Sequence, residues 1–222
     1  MNALRSSALH TSLKARGARF DTLLDMPAAV QVADTDAERA AALGIADVSC
    51  LRRIGLKGPR AGEWLSQRGV AVPADPNSWG PVEGGLVARL ARTEFLVEDG
   101  PGASTVMRIA GELQSGLEGV YPVWRQDCAL LLVGDRVMDL LRETCNVDFA
   151  SSTLSGEAVT LTQMVGVSVT VLRQQVGGRA CHRVWCDYSA GVYLWETLTG
   201  IAEEMGGGAV GIAAVWPALV AG

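Results

Sequence analysis

Histidine and tyrosine are scarce: two and three among 222 residues. With only His10 and His182 available as bases or imidazole ligands, the inventory for acid–base or metal chemistry is thin and leans away from a self-sufficient enzyme. Charge runs are missing too. Nineteen Lys and Arg against 24 Asp and Glu give a net charge of −5 with no basic cluster, so the electrostatic footprint of a phosphate-backbone binder is absent and no nucleic-acid partner is expected. Long apolar runs are lacking. The longest, such as Val165–Val171, is broken by Gly, Ser and Thr and falls short of the roughly 20 residues of a membrane span, so no membrane association is expected. The first twenty residues mix Arg5, His10, Lys14, Arg16 and Arg19 with polar residues. They hold no apolar stretch ahead of a small-residue cleavage site, which predicts a cytoplasmic protein. The cysteines (Cys50, Cys128, Cys145, Cys181 and Cys186) are odd in number and scattered. In a reducing compartment they read as buried small hydrophobes without a disulfide.

Apolar side chains are plentiful, at 49% against 19% charged, with a mean hydropathy of +0.22. That excludes disorder and predicts a core built without disulfide or metal staples.

Residues 1–20 read as a short helix entering a loop. Asp34–Leu43 reads as a helix with Asp34 or Thr35 as N-cap and Gly44 closing it. Ile45–Leu56 reads as one strand ending at Lys57-Gly58-Pro59, and a helix carrying Ala61, Trp64, Leu65 and Arg68 follows until Gly69. Val70–Asn77 is a loop, Gly84-Gly85 a tight turn, and Leu86–Val97 two strands around Ala91-Arg92-Thr93-Glu94. Val106–Leu117 reads as helical. After a break at Ser151–Gly156, Ala158–Leu172 reads as long strands, Gly177-Gly178 as a turn, Cys181–Cys186 as a strand and Ser189–Met205 as an amphipathic helix closed by Gly206-Gly207-Gly208. The apolar tail Ala209–Val220 must pack, either as a last strand of this core or on another chain.

The second half echoes the first. Ile54, Leu56, Arg60 and Leu65 stand at the same offsets from Gly58 as Leu130, Leu132, Arg136 and Leu141 do from Gly134, 76 residues later. This spacing predicts two related α+β halves, 1–115 and 116–222, with both glycines ending a strand and opening a helix.

Cys181-His182 and Cys186 have ligand chemistry, but strand alternation turns Cys181 away from the other two, and no second pair completes a tetrahedral zinc site. The glycine clusters lack the spacing of phosphate loops, and no nucleophile elbow accompanies either histidine. Six tryptophans (Trp64, Trp79, Trp124, Trp185, Trp195, Trp216) are many for this length, and at least one is expected at a subunit interface.

Several segments resemble the folate-binding domain of the glycine-cleavage aminomethyltransferases: Leu43–Ser49, Leu56-Lys57-Gly58-Pro59, His10 with Gly17-Ala18-Arg19 and Pro27, Gly84-Gly85-Leu86-Val87, Leu194-Trp195-Glu196 with Leu198, and Gly211-Ile212 with Ala214. The resemblance implies a mixed α+β, aminomethyltransferase-like fold with mostly antiparallel sheets, lacking that family's C-terminal barrel. It also implies where a folate site would lie. The family's Asp-Asp-Leu is here Ala88-Arg89-Leu90, its pterin-binding Glu segment aligns with Gln175–Arg179, bringing in Val176 and Arg179, and a late Arg falls at Val215. These positions imply a degenerate folate site with no catalytic residue. A pterin presents N–H donors that a carboxylate accepts, whereas a guanidinium offers donors only.

Asp47–Asn77, with Trp64-Leu65 and Gly69-Val70, followed by Leu86–Leu96, is more similar to the gamma subunit of heterotetrameric sarcosine oxidases. That likeness implies a non-catalytic subunit of a flavin-dependent, N-methyl-amine demethylating complex. Larger flavoprotein subunits are the implied partners. They would carry FAD or FMN, NAD and tetrahydrofolate, with no cofactor on this chain alone. The rival expectations are a tetrahydrofolate-binding one-carbon acceptor acting with a partner oxidoreductase, and a free-standing binding module.

Overall fold

The computed structural model describes residues 5–113, 117–150 and 156–221. The chain divides into two compact units: Met1–Cys50, Asp127–Gly156 and Thr160–Gly222 form the first, Leu51–Gln126 with Glu157–Val159 the second. The 115/116 division read from the repeat falls outside the described residues.

The chain opens in the first unit with α1 (His10–Ala15), the hairpin β1 (Arg19–Leu23) and β2 (Met26–Gln31), α2 (Asp36–Leu43) and β3 (Gly44–Asp47). It passes into the second unit through β4 (Arg53–Lys57), α3 (Ala61–Ser66), β5 (Ser78–Val82), β6 (Gly85–Ala91), β7 (Glu94–Glu98), α4 (Thr105–Leu113) and β8 (Tyr121–Trp124). It then returns with β9 (Cys128–Val133), α5 (Val137–Thr144), β10 (Val159–Met164), β11 (Val167–Val176), β12 (Arg179–Cys186), α6 (Gly191–Glu204), β13 (Gly208–Ala209), α7 (Ile212–Val215) and α8 (Pro217–Val220).

In the first unit a six-stranded sheet runs β10-β11-β12-β9-β3-β13. Strand alternation points Ile45, Leu130, Leu132, Val171 and Val184 to one face, where they pack with Leu13 of α1, Leu140 and Leu141 of α5 and Leu194, Trp195 and Leu198 of α6. In the second unit a five-stranded antiparallel sheet runs β5-β6-β7-β4-β8. Ile54, Leu56, Val87, Phe95 and Val97 meet Trp64 and Leu65 of α3 and Ile109 of α4. Each unit therefore has its own core.

Gly58 and Gly134 stand as the repeat predicts, each between a strand and a helix. Both have positive φ, +129° and +111°. The likeness extends to the backbone: Arg60 N–H donates to the Gly119 carbonyl at 3.0 Å, and Arg136 N–H to the Ala42 carbonyl at 2.9 Å. Each acceptor lies two residues ahead of the residue paired with the preceding strand's last position, Tyr121 with Lys57 and Gly44 with Val133. A Cβ on Gly58 would overlap the Gly119 carbonyl, and one on Gly134 would lie 2.6 Å from that of Ala42. Gly134→Ala is expected to lower stability by about 2 kcal/mol through backbone strain and this clash, measured by urea unfolding. An unchanged midpoint would show that the turn can yield.

Several elements differ from expectation. Ile45–Leu56 is two strands, β3 and β4, in different sheets. The break comes where the Asp47 carboxylate accepts the Ser49 N–H at 3.0 Å, an Asx turn that ends β3. Residues 19–31 form a hairpin whose turn, Leu24-Asp25, has both residues at positive φ without glycine. The α2 helix begins after Thr35, but neither Asp34 nor Thr35 caps it by side chain. Instead Asp36, in its first turn, accepts the N–H groups of Val32, Ala33 and Gly211 at 2.8–2.9 Å. Gly44 is extended and starts β3 directly, so it is no left-handed cap. The predicted helix at 106–117 is α4, and positions 114–116 lie outside the described residues, as do 151–155 of the predicted break. The apolar tail is settled within the chain itself. Ala209 pairs with Ile45 in β13, parallel to β3, and Val210, Ile212, Val215 and Leu219 are buried.

Candidate functional site

The positions singled out by sequence fall into separate environments. On β6, Ala88 is fully buried and lies between Trp79 of β5 and Leu96 of β7 in the ladder. Arg89 follows it on the opposite face. Its guanidinium donates to the carbonyls of Pro73, Ala74 and Arg92 and lies over the Phe95 ring, 5.6 Å from the centroid. The side chain thus ties β6 to the loop before β5 and to the β6–β7 turn. An open groove of about 340 Å³ runs beside it, lined by Gly58, Pro59, Glu63, Ser66, Arg89 and Arg92 among others.

Val176 and Arg179 are brought together, directly opposed across the β11–β12 turn. Gly177 and Gly178 occupy that turn at φ +57° and +78°, the type I′ geometry favoured by the twist of the strands. Val176 is buried, whereas Arg179 reaches into solvent. Val215 is buried on α7, which packs on β2, α2 and β3. β3 lies three strands from β11, about 14 Å across the sheet. None of these five positions offers a carboxylate. A pterin's N–H groups would find no acceptor side chain at Ala88, Val176 or Val215, and the two arginines carry donors alone. These five positions therefore do not fit the acceptor side of a folate site.

The pleat turns Cys181 to the face opposite His182 and Cys186, and those two, four residues apart along β12, stand about 13 Å from one another. The Cys181 thiol points to the Gln174 carbonyl at 3.5 Å, and burial raises its pKa to about 11, which keeps it a thiol. His182 packs edge-on against Phe149, with ring centroids 6.0 Å apart. Burial, with the Arg173 charge beside it, lowers its pKa to about 4, so it is neutral at physiological pH. Cys186 stands opposite Cys128 instead. His10 packs against Phe20 with tilted rings, their centroids 4.7 Å apart. Among the described residues no group of three or more His, Cys, Asp or Glu is arranged to hold a metal.

Two features escaped the sequence reading because strand register creates them. Arg53 of β4 and Glu98 of β7 are cross-strand partners with side chains 1% exposed and 2.9 Å apart. Asp99, next in line, accepts the Val106 N–H at the start of α4 at 3.0 Å. Burial pushes its carboxyl above the usual carboxylate range. The surface is more telling. Trp185 and Trp195 are core residues, but Trp124 is 70% exposed and Tyr121 57%, both on the edge strand β8.

No protein-family model matches this sequence. Among curated proteins there is likewise no match. Solved structures do match. Glycine cleavage system aminomethyltransferase T from Bartonella henselae superposes with a TM-score of 0.74 at 18% identity, over 96% of this chain and 61% of that one. This chain thus spans less than two thirds of the aminomethyltransferase. A chain of the heterotetrameric sarcosine oxidase from Corynebacterium sp. U-96 superposes with a TM-score of 0.67 at 20% identity, over 91% of this chain and 97% of the other. No helix among the described residues is long and apolar enough to cross a membrane. A mixed six-stranded sheet and an antiparallel five-stranded sheet, each packed against helices, thus give this chain the fold shared by the glycine-cleavage aminomethyltransferase and a chain of the heterotetrameric sarcosine oxidase.

Proposed function

We propose that this chain is a gamma-type, non-catalytic subunit of a heteromeric, flavin-dependent complex of the sarcosine oxidase kind, which demethylates N-methyl amines or amino acids. The carrying observation is the extent of the likeness: 97% of a chain from a heterotetrameric oxidase against 61% of the aminomethyltransferase. The side chains support the same reading. Ala88 is enclosed by Trp79 and Leu96, and Arg89 is engaged by three carbonyls, so these two positions bring neither a carboxylate nor an available cation to a folate. Flavin, nicotinamide dinucleotide and tetrahydrofolate belong, on this reading, to larger partner subunits in the cytoplasm.

The experiment is a pull-down of the tagged chain from its native host, with a visible spectrum of the eluate. A copurifying larger flavoprotein is expected. A monodisperse, dye-negative lone chain would overturn the subunit reading, and a micromolar tetrahydrofolate complex of the isolated chain would overturn its non-catalytic part. The exposed Trp124 is a suitable anchor for such a partner, since a truncated aromatic anchor typically costs about 2 kcal/mol of binding. Trp124→Ala should therefore weaken assembly at least about tenfold while leaving the circular dichroism of the chain unchanged. Equal recovery of partner with the variant would remove β8 from the interface.

A further inference from the structure

We propose that Cys128 and Cys186 form a reversible, peroxide-sensitive dithiol that closes a disulfide between strands β9 and β12. The proposal rests on this chain alone and needs no particular partner.

The two residues are direct partners in the antiparallel ladder. Opposed residues in such a ladder have Cα atoms about 4.5–5.5 Å apart, inside the range of about 4.4–6.8 Å that a disulfide spans without moving the backbone. Both belong to the apolar core of the first unit, 1% and 4% exposed, and both are free thiols. They share a face of the sheet and one core cluster. Gly191, at the start of α6, closes the space over Cys128: a Cβ there would lie 2.8 Å from the Cys128 Cβ and 3.0 Å from its Sγ. That contact limits where the Cys128 sulfur can turn. In the ladders described, no other two cysteines stand opposite one another: Cys181 faces Val133 and Gln174, and Cys145 bridges to Met164.

Their place is at the ends of their strands, where Cys186 keeps 4% exposure. Cys186 is the last residue of β12 and Cys128 the first of β9, and the adjoining Asp187 is exposed. The neighbouring Cys128 thiol lowers the pKa of Cys186, while Cys186 and burial raise that of Cys128, which makes Cys186 the better nucleophile of the two. The Cys186 thiolate attacks one oxygen of hydrogen peroxide, the O–O bond breaks, and hydroxide leaves as water once protonated, giving a sulfenic acid. The Cys128 sulfur then attacks the sulfenic sulfur, its proton leaving with the hydroxyl as a second water. Two thiols and one peroxide become one disulfide and two waters, with both sulfurs oxidised and both peroxide oxygens reduced.

The test uses the full chain in its folded state. It is treated with a small excess of hydrogen peroxide, quenched with catalase, denatured and alkylated. The free-thiol count should fall from five to three, with a mass loss of about 2 Da and a non-reduced peptide joining positions 128 and 186. Dithiothreitol should restore all five. In Cys128→Ser, the same treatment should yield no cross-link and a dimedone-trapped sulfenic acid at Cys186. Five thiols surviving in the parent protein, a cross-link between other cysteines, or sulfinic acid at Cys186 of the parent without a link would each overturn the proposal.

Discussion

Replacing Arg53 by Met is expected to destabilise the protein by about 3–5 kcal/mol, equivalent to roughly 10 °C in Tm for a chain of this size. The reason is the carboxylate left behind. Glu98 is 1% exposed and lies 2.9 Å from the Arg53 guanidinium. It has lost most of its hydration on folding and cannot recover it when the cation is removed. Taking out both charges together, as Arg53→Met with Glu98→Leu, should cost much less than the single change, because apolar groups of similar volume carry no desolvation penalty. A double-mutant cycle from urea unfolding reads this difference directly. Should the double variant be as unstable as Arg53→Met, packing around β4 would be the source of the loss and the ion pair incidental.

Acidification should remove about 3 kcal/mol of stability through His182 alone. Its pKa is lowered to about 4 in the folded chain, from an ordinary 6.5, chiefly by burial and then by the Arg173 charge. The folded state therefore holds the imidazole neutral over a range in which the unfolded chain takes up a proton. A group lowered in this way contributes its full stability above pH 6.5, and the contribution is lost as the pH falls through 4. The gap of about 2.5 pH units corresponds to about 3 kcal/mol. His182→Phe keeps a ring against Phe149, which His182 meets at 6.0 Å, and cannot titrate. Unfolding free energies at pH 7.5, 5.5 and 4 should show a steep acid loss in the parent and a shallower one in the variant. Parallel curves would place the acid sensitivity on other groups. Asp99 works in the opposite sense. Its raised carboxyl pKa makes its contribution largest below the ordinary carboxylate value and smaller as the pH rises, so it does not imitate the His182 signature.

Much of the architecture was legible from local chemistry. The glycines at 58 and 134 mark a strand-to-helix turn that only a residue tolerant of positive φ can make, and the apolar residues at matching offsets face one core in each unit. The hairpin at Gly84-Gly85, the turn at Gly177-Gly178 and helix α6 followed from the same kind of signal. The strand expected at Ile45–Leu56 shows where such signals end. Its apolar pattern continues through the Asp47–Ser49 Asx turn, so nothing in hydrophobic periodicity marks the passage from one sheet to the other. The hairpin at 19–31 was hidden for a related reason, since Leu24-Asp25 adopts a turn that glycine or asparagine normally announces.

Read alone, the chain's residues establish composition and local geometry: two histidines, no run of basic residues, and glycines placed where the backbone needs them. Tertiary structure decided everything that depends on register. Only the β4–β7 pairing brings Arg53 to Glu98, only β9 against β12 brings Cys128 to Cys186, and only the β6 ladder encloses Ala88 between Trp79 and Leu96. The tail followed the same rule. Its apolar character required burial, but the choice between this core and another chain was made by the two-residue pairing of β13 with β3. A side chain's type is set by the code at its own position. Its partner is set by which distant strand lies one spacing away, and a one-residue slip would have turned each of these pairs to opposite faces.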